Sequence, residues 1–304
     1  MSSEGIPTAS PPDRPTVYCL VLHPDHLAAE PGKLSPPDGV VRVRGNLLDP
    51  ADRPAIDRCA QGAKAQAAIH LVGIIAPRGR QTYRRVHVDG TRTVVEAMKR
   101  AGARRLIHVS ALGAHPAGPT EYFRTKAAGE QIVRESGLDW TILRPGLVHG
   151  PDGQFMRLLA RLARSPLPMP LLGPGEARLQ PIWVQDVARA VAAALDRPAT
   201  IGRSIDLVGP TVLTWNQLYD TVSAAVLGLG HPRPKAKAHI PVWLATIAAG
   251  LFRLLPVPRP FNYDQVLMAQ LDNVADAGDM ERQLGIHPAD FAATLAGYRK
   301  ELLR

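Results

Sequence analysis

RLIHVSALGAHPAGPTEYFRTKAAGEQIVRESGLDWTILRPGLVHG, residues 105–150, decides the fold. It opens on RLIHVSALG (105–113), an apolar and β-branched run of strand character. It continues into YFRTKAAGEQIVRESG (122–137), a helical segment closed by a glycine, and returns to a strand and loop in DWTILRPGLVHG (139–150). Strand, helix and strand joined by short turns form the repeating unit of a parallel sheet.

The same alternation extends upstream. TVYCLVL (16–22), VVRVRG (40–45) and AAIHLVGII (67–75) read as strands, the last of them buried, and PADRPAIDRCAQG (50–62) reads as a helix. TYRRVHVDGTRTVVEAMKRAG (82–102) carries Val86, Val94, Val95 and Met98 at helical spacing and stops at Gly102. After Gly150 the rhythm changes. FMRLLARLARS (155–165) is an amphipathic helix, and PLPMPLLGPGEARLQP (166–181) is a proline-rich connection. IWVQDVARAVAAALD (182–196) and RSIDLVG (203–209) return to a helix and a strand, and the remainder is helical with proline breaks. The expected fold class is α/β, a doubly wound parallel sheet with a small, mostly helical C-terminal lobe. The expected division is a disordered tail over 1–15, a core over 16–150, and over 151–304 the last core strand and helix (182–209) with a lid and the lobe.

Composition fits this reading and narrows the function classes. With 45% hydrophobic and 21% charged residues in 304, the chain is globular rather than fibrous or disordered. The net charge of +9 comes with arginines spread along helices rather than gathered in a basic arm, so nucleic acid is not an expected partner. An anionic surface or a phosphate-bearing ligand is compatible with it. Cys19 and Cys59 have no metal or redox spacing and read as inert thiols in a reducing compartment, and the ten histidines form no HExxH pair. MSSEGIPTASPPDRP lacks the charged and apolar regions of a secretory signal, so a cytoplasmic location is expected. HIPVWLATIAAGLFRLLPVP (239–258) is the most apolar segment, interrupted by Arg253 and bounded by Pro241 and Pro256. Those breaks leave fewer residues than the about 20 that a span needs, and the segment reads as a buried or partner-facing helix, or as one lying in a membrane interface.

The motifs GNLLDP (45–50), IHLVGI (69–74), VHVDGTRTVVEA (86–97), HVSALGA (108–114), YFRTK (122–126), ILRPGLVHGP (142–151) and QPIWVQDVA (180–188) follow in an order and spacing that resemble an atypical or extended short-chain dehydrogenase/reductase. The likeness covers nearly all of the chain from Thr16 and implies a Rossmann-like NAD(P)-binding core. LVGII, RQTYRRVHVDG and FNYDQVLMAQLDNV (261–274) are similar to the branch that contains the nucleotide-binding accessory subunit of respiratory complex I and its bacterial relatives.

The resemblance implies a catalytic trio of Ser110, Tyr122 and Lys126. Tyr122 and Lys126 stand four apart on one helix and share a face. A phenol of pKa about 10 is a poor acid or base at neutral pH, and a neighbouring ammonium is expected to bring it closer to the working range. Ser110, ending the preceding strand, is placed to hydrogen-bond a substrate carbonyl. The expected cofactor contacts are His23 after the second family strand, Asn46 and Leu47 on the adenine side, Gly73 beside the ribose, Lys126 again, and Arg144 and Pro145 over the nicotinamide. His87 stands where many reductases carry a structural asparagine. Asp186 reads as a helix cap or dipole partner.

One departure bears on all of this. A dinucleotide fold opens with a strand and a G-x-G-x-x-G turn, where the backbone approaches the pyrophosphate at a helix N-terminus. No such motif occurs here, and TVYCLVL is placed by its sequel as the second family strand, so the first strand and helix are missing. A natural chain longer at its start accounts for this, and so does a remnant held by altered pairing or by a partner; the former is the expectation. The implied activity is that of an NAD(P)-binding, reductase-like protein with hydride transfer to a carbonyl or quinone-like substrate. The implied partner is a respiratory or quinone-linked assembly, with contact at the inner face of a membrane. The alternative is a structural or assembly protein that has lost dinucleotide binding.

Overall fold

The computed structural model describes residues 17–21, 40–61, 65–228, 235–254 and 262–303. The tail expected over 1–15 and the candidate His23 lie outside the described residues. The chain runs through β1 (Val17–Val21), β2 (Val40–Arg44), α1 (Arg53–Gln61) and β3 (Ala67–His70). It then winds a π-helical turn (Arg85–Asp89) directly into α2 (Gly90–Ala101). Next come β4 (Arg105–Val109), α3 (Glu121–Arg134), β5 (Asp139–Pro145), β6 (Val148–His149) and α4 (Gln154–Arg164). They are followed by β7 (Met169–Leu172), β8 (Arg178–Leu179), β9 (Ile182–Trp183), α5 (Val184–Asp196), β10 (Arg203–Leu207), β11 (Leu213–Thr214) and α6 (Trp215–Leu227). The last elements are β12 (Lys237–Ile240), α7 (Val242–Leu254), α8 (Tyr263–Met268), α9 (Gly278–Leu284) and α10 (Phe291–Leu302).

β10, β5, β4 and β3 form one parallel sheet in that order. Side chains alternate across it as the pleat requires. Leu106 and Ile142 point to a layer with Val95, Met98 and Val133 from α2 and α3. Ile107 and Leu143 point to the other face, with Ile205 and Leu207 beneath Ala190 and Ala194 of α5 and Met280 and Leu284 of α9. Each such fully buried Leu or Ile contributes about 1.5–3 kcal/mol, and burial on both faces is why these strands read as near-continuous apolar runs.

β1 and β2 pair with each other in parallel, Val17 opposite Val40 and Val21 opposite Arg44, and belong to a separate two-stranded sheet. Among the described residues no strand joins β1 to β3. The consequence appears at once beyond β3. The run expected as one buried strand over 67–75 stays in the ladder only to His70, and Ile69, Leu71, Val72 and Ile75 are exposed. Among the described residues no strand pairs with β3 on that side, and the exposed side chains lie along this edge.

The C-terminal lobe has its own core: Met156, Leu159, Leu218, Val222, Phe291 and Leu295, drawn from α4, α6 and α10. The proline-rich connection contains two strands that the sequence reading did not foresee. β7 pairs in parallel with β12, and β8 pairs with β11, partners far away in the chain. Asp186, in the first turn of α5, is fully buried, pairs with Arg189 and accepts the Ala289 amide at 2.8 Å, which ties α5 to the approach of α10.

Candidate functional site

The site is built on α3. Thr120 caps it by accepting the Phe123 amide at 3.2 Å, and the Tyr122 amide, still without a helical partner, donates to Asp264 Oδ2 of α8 at 2.9 Å. α3 lies close against the π-helical turn because Gly129 has no side chain: a Cβ there would meet the His87 carbonyl oxygen at 2.7 Å. His87 is thereby set beside the start of α3. Its Nε2 accepts the Ile74 amide at 3.1 Å, so the neutral ring carries its proton on Nδ1, 3.0 Å from Thr125 Oγ1.

Lys126 is buried one turn beyond Tyr122, and its Nζ donates to the Val109 carbonyl at 3.3 Å. The loop after β3 passes over this ammonium at Gly73, where a Cβ would stand 2.9 Å from Nζ. Burial pushes the Lys126 pKa down to about 8, against an upward pull from Glu130. Ser110, the residue after β4, is buried, and its Oγ has no hydrogen-bond partner in the structure. A buried hydroxyl without a partner is costly, and a bound carbonyl or hydroxyl would relieve it.

Tyr122 behaves differently from the expectation. Burial drives its phenol up to about 12, so desolvation outweighs any help from the ammonium one turn away. Its ring sits in an aromatic corner, 5.6 Å from His87, 5.9 Å from Tyr83 and 5.4 Å from Phe123 between centroids. Tyr83 is held there by two hydrogen bonds, its hydroxyl donating to the Ile75 carbonyl at 2.8 Å and accepting from Asn262 Nδ2 at 3.1 Å.

Arg144 and Pro145 end β5. The Arg144 guanidinium is held by Glu130, buried on α3, and Arg134 donates to the same carboxylate at 2.8 Å. Burial alone would raise the Glu130 pKa, but Arg144 first, then the nearby Ser110 hydroxyl and Arg134, outweigh it and hold the carboxyl below its ordinary value. The Pro145 carbonyl accepts the Leu112 amide at 2.9 Å, fixing the loop after Ser110 to the end of β5. Asn46 folds a turn on itself, its Oδ1 accepting the Leu48 amide at 2.9 Å and its own amide donating to Asp52 Oδ2 at 2.8 Å, with Leu47 half-buried between. This turn reaches the π-helical segment through Arg85, whose Nη2 donates to the Leu48 carbonyl at 3.4 Å.

Ser110, Tyr122, Lys126 and Gly73 are thus grouped around the N-terminal half of α3, with Arg144 joined to the same helix through Glu130. The sequence reading missed Asp264, Asn262 and the Glu130–Arg144 pair, whose partners are far apart in the chain. It also missed a set of buried histidines. His70 and His108 pack with ring centroids 5.1 Å apart, and His70 Nε2 lies 3.2 Å from Thr91 Oγ1. Burial, and after it Lys126, pushes His70 and His87 down to about 3. His108 has neither ring nitrogen hydrogen-bonded and is held well below its ordinary value by burial first and then by His70.

The chemistry of these residues fits the ribose of a nicotinamide cofactor: Lys126 is an ammonium that can donate to ribose hydroxyls, Ser110 has an unpartnered hydroxyl, and Gly73 packs its backbone against the ammonium. Among the described residues there is no glycine-rich turn to receive a pyrophosphate, and none of their His, Cys, Asp and Glu side chains gather in a group of three or more that could hold a metal.

A family model described as NAD(P)H-binding matches residues 17–198. Over 250 residues the chain is 30% identical to the NADH dehydrogenase [ubiquinone] 1 alpha subcomplex subunit 9, mitochondrial, of Arabidopsis thaliana, covering 78% of this chain and 60% of that protein. It is 34% identical over 177 residues to a ceramide reductase of Caulobacter vibrioides, covering 58% of this chain and 53% of that one. The chain therefore spans between half and two thirds of the length of these relatives. Among solved structures, the dTDP-glucose 4,6-dehydratase DesIV of Streptomyces venezuelae, with NAD and TYD bound, superposes with a TM-score of 0.70 at 19% identity, over 94% of this chain and 87% of that one. That likeness shows the fold.

Proposed function

The chain belongs to the NAD(P)H-binding family, of the extended short-chain dehydrogenase/reductase type with complex I subunits among its relatives, and from that premise we propose that it is a reductase-like protein acting on a carbonyl or quinone-like substrate. NAD(P) is the cofactor, and its reduced form, NAD(P)H, would supply the hydride when bound and leave as NAD(P)+. The observation that carries the reading is the buried, unpartnered Ser110 Oγ at the end of the strand whose Val109 carbonyl accepts from the Lys126 ammonium, with the Gly73 backbone against that ammonium.

In this reading Ser110 Oγ donates to the substrate oxygen and orients it. Tyr122, kept protonated by its burial, gives its phenolic proton to that oxygen as negative charge develops there, so that carbonyl becomes alcohol. Lys126 holds the ribose hydroxyls and stabilises the phenolate left behind. His87 and Tyr83 wall the cleft and keep the phenol ring in place. The working location is the cytoplasmic face of a membrane, within a respiratory or quinone-linked assembly of the kind named for the complex I relatives.

Tyr122→Phe tests the reading. It removes only the phenolic oxygen, so the expected result is loss of turnover with unchanged NAD(P)H affinity and unchanged melting; full turnover in the variant would sink the mechanism. A second reading, an assembly protein that binds no dinucleotide, is favoured by the divided sheet and by the missing glycine-rich turn. Titration of the full chain with NADH and NADPH separates the two: saturable binding supports the reductase reading, and no binding supports the assembly reading.

A further inference from the structure

α7 has two unlike faces. Ala245 and Ala249 are buried against Val266 of α8, with Leu172, Ile240 and Val242 packed alongside. About 200° around the helix, Trp243, Ile247 and Leu251 stand at intervals of four with Leu244 beside them, and they are 66, 52, 56 and 45% exposed. Four large apolar side chains on one stripe of one helix form an exposed patch of the kind that marks an interaction site. The inner face is already satisfied, so α7 does not need this stripe to hold its place.

Charge names the partner. From Thr221 to Tyr263 the chain has Arg233, Lys235, Lys237, Arg253 and Arg259 and no Asp or Glu. Lys237 pairs with Asp220 at 2.7 Å, whereas Lys235 donates to the Ser165 carbonyl and has no acidic partner among the described residues. Thirteen residues make a helix about 20 Å long, too short for a hydrocarbon core of about 30 Å, and among the described residues no helix is long and apolar enough to cross a membrane. A short helix with a Trp-bearing apolar stripe in a basic segment is matched to the interface of an anionic bilayer, where the stripe sinks to the acyl boundary and the cations meet lipid phosphates.

We propose that α7 docks this chain onto an anionic membrane surface through Trp243, Leu244, Ile247 and Leu251. The inference is independent of the hydride-transfer reading, since none of these residues lies in the candidate site.

The test is co-sedimentation of the full chain with vesicles of phosphatidylcholine alone and of phosphatidylcholine mixed with phosphatidylglycerol, at low and high salt. Binding to the mixed vesicles that weakens with salt is expected. The variant Ile247→Glu/Leu251→Glu, altered only at exposed positions, should lose affinity by about tenfold or more. Leu71→Glu, which changes the other exposed apolar patch at the open sheet edge, should bind as the parent does. Equal binding to neutral vesicles, unchanged binding by the double variant, or loss of binding in Leu71→Glu would each overturn the proposal. So would absence of vesicle binding together with a dimer in solution that the double variant dissociates, since the occupant would then be a second copy of this chain. Failure here leaves the NAD(P)H titration and the Tyr122→Phe result untouched.

Discussion

Arg144 grips Glu130 with both ends of its fork, Nε to Oε1 at 2.8 Å and Nη2 to Oε2 at 2.6 Å, and so fastens the end of β5 to the helix that carries Tyr122 and Lys126. Glu130 is one turn beyond Lys126 and is 1% exposed in its side chain. The pair therefore has two effects: it locks α3 in register with the sheet, and it places a carboxylate where it favours the charged form of Lys126.

Removing one partner of that pair leaves a buried charge without compensation. Arg144→Met is expected to cost about 3–5 kcal/mol, moderated by the remaining Arg134 contact, while Arg144→Met with Glu130→Leu should recover much of the loss. Urea unfolding of the two variants measures this. Equal stabilities for the single and double variants would contradict it.

Acid should destabilise the fold well before its carboxylates are protonated. His70 and His87 have folded pKa values near 3 against an ordinary 6.5, and His108 is lowered in the same direction. Above pH 6.5 these rings are neutral in both states and their effect on stability is nil. Below it the unfolded chain takes up protons that the fold refuses, so stability falls by about 1.4 kcal/mol per pH unit for each histidine as pH drops toward 3. Thermal melts from pH 8 to 4 read the slope. His108→Leu, which deletes two unpartnered buried nitrogens, should flatten that slope and raise the melting temperature at neutral pH.

Lys126 titrates close to pH 8 in the folded chain. One Nζ–H goes to the Val109 carbonyl, and deprotonation removes both the charge and one of the donors left for ribose hydroxyls in the proposed site, so NAD(P)H affinity should weaken as pH rises through 8. Lys126→Met should bind weakly at every pH and lose that limb. Isothermal titration across pH 6.5–9.5 distinguishes this from a purely structural lysine, which would give the variant the parent's profile shifted only in stability.

Asp264 accepts the Tyr122 amide from the far side of the chain. Asp264→Ala leaves that amide unsatisfied at a helix start and should cost about 1 kcal/mol. If turnover is found, Asp264→Ala should lower kcat more than it changes KM for the cofactor, because what it loosens is the position of the phenol. Asp264→Asn keeps an acceptor oxygen and should restore most of the rate.

The alternation of the core strands and helices, the Gly102 stop and the shared face of Tyr122 and Lys126 were legible in the sequence. They depend on local periodicity and on turn chemistry, which a single stretch of chain displays. That the sequence has no G-x-G-x-x-G turn was legible too. The family likeness rested on the same order of motifs, and the NAD(P)H-binding match over 17–198 agrees with it.

Tertiary structure alone decided the rest. It showed β3 ending at His70, because a strand's length depends on whether a neighbour is there to pair with it. It found β7 and β8 inside the proline-rich connection, because β12 and β11 arrive from elsewhere to pair with them. It also reversed the expected direction of the Tyr122 pKa, since desolvation is a property of everything packed around a group and not of the residue four places along. Glu130 meeting Arg144, Asp264 meeting Tyr122 and three histidines meeting in one core are contacts between distant segments. Side-chain spacing along a chain determines which residues share a face, and only folding determines what that face is pressed against.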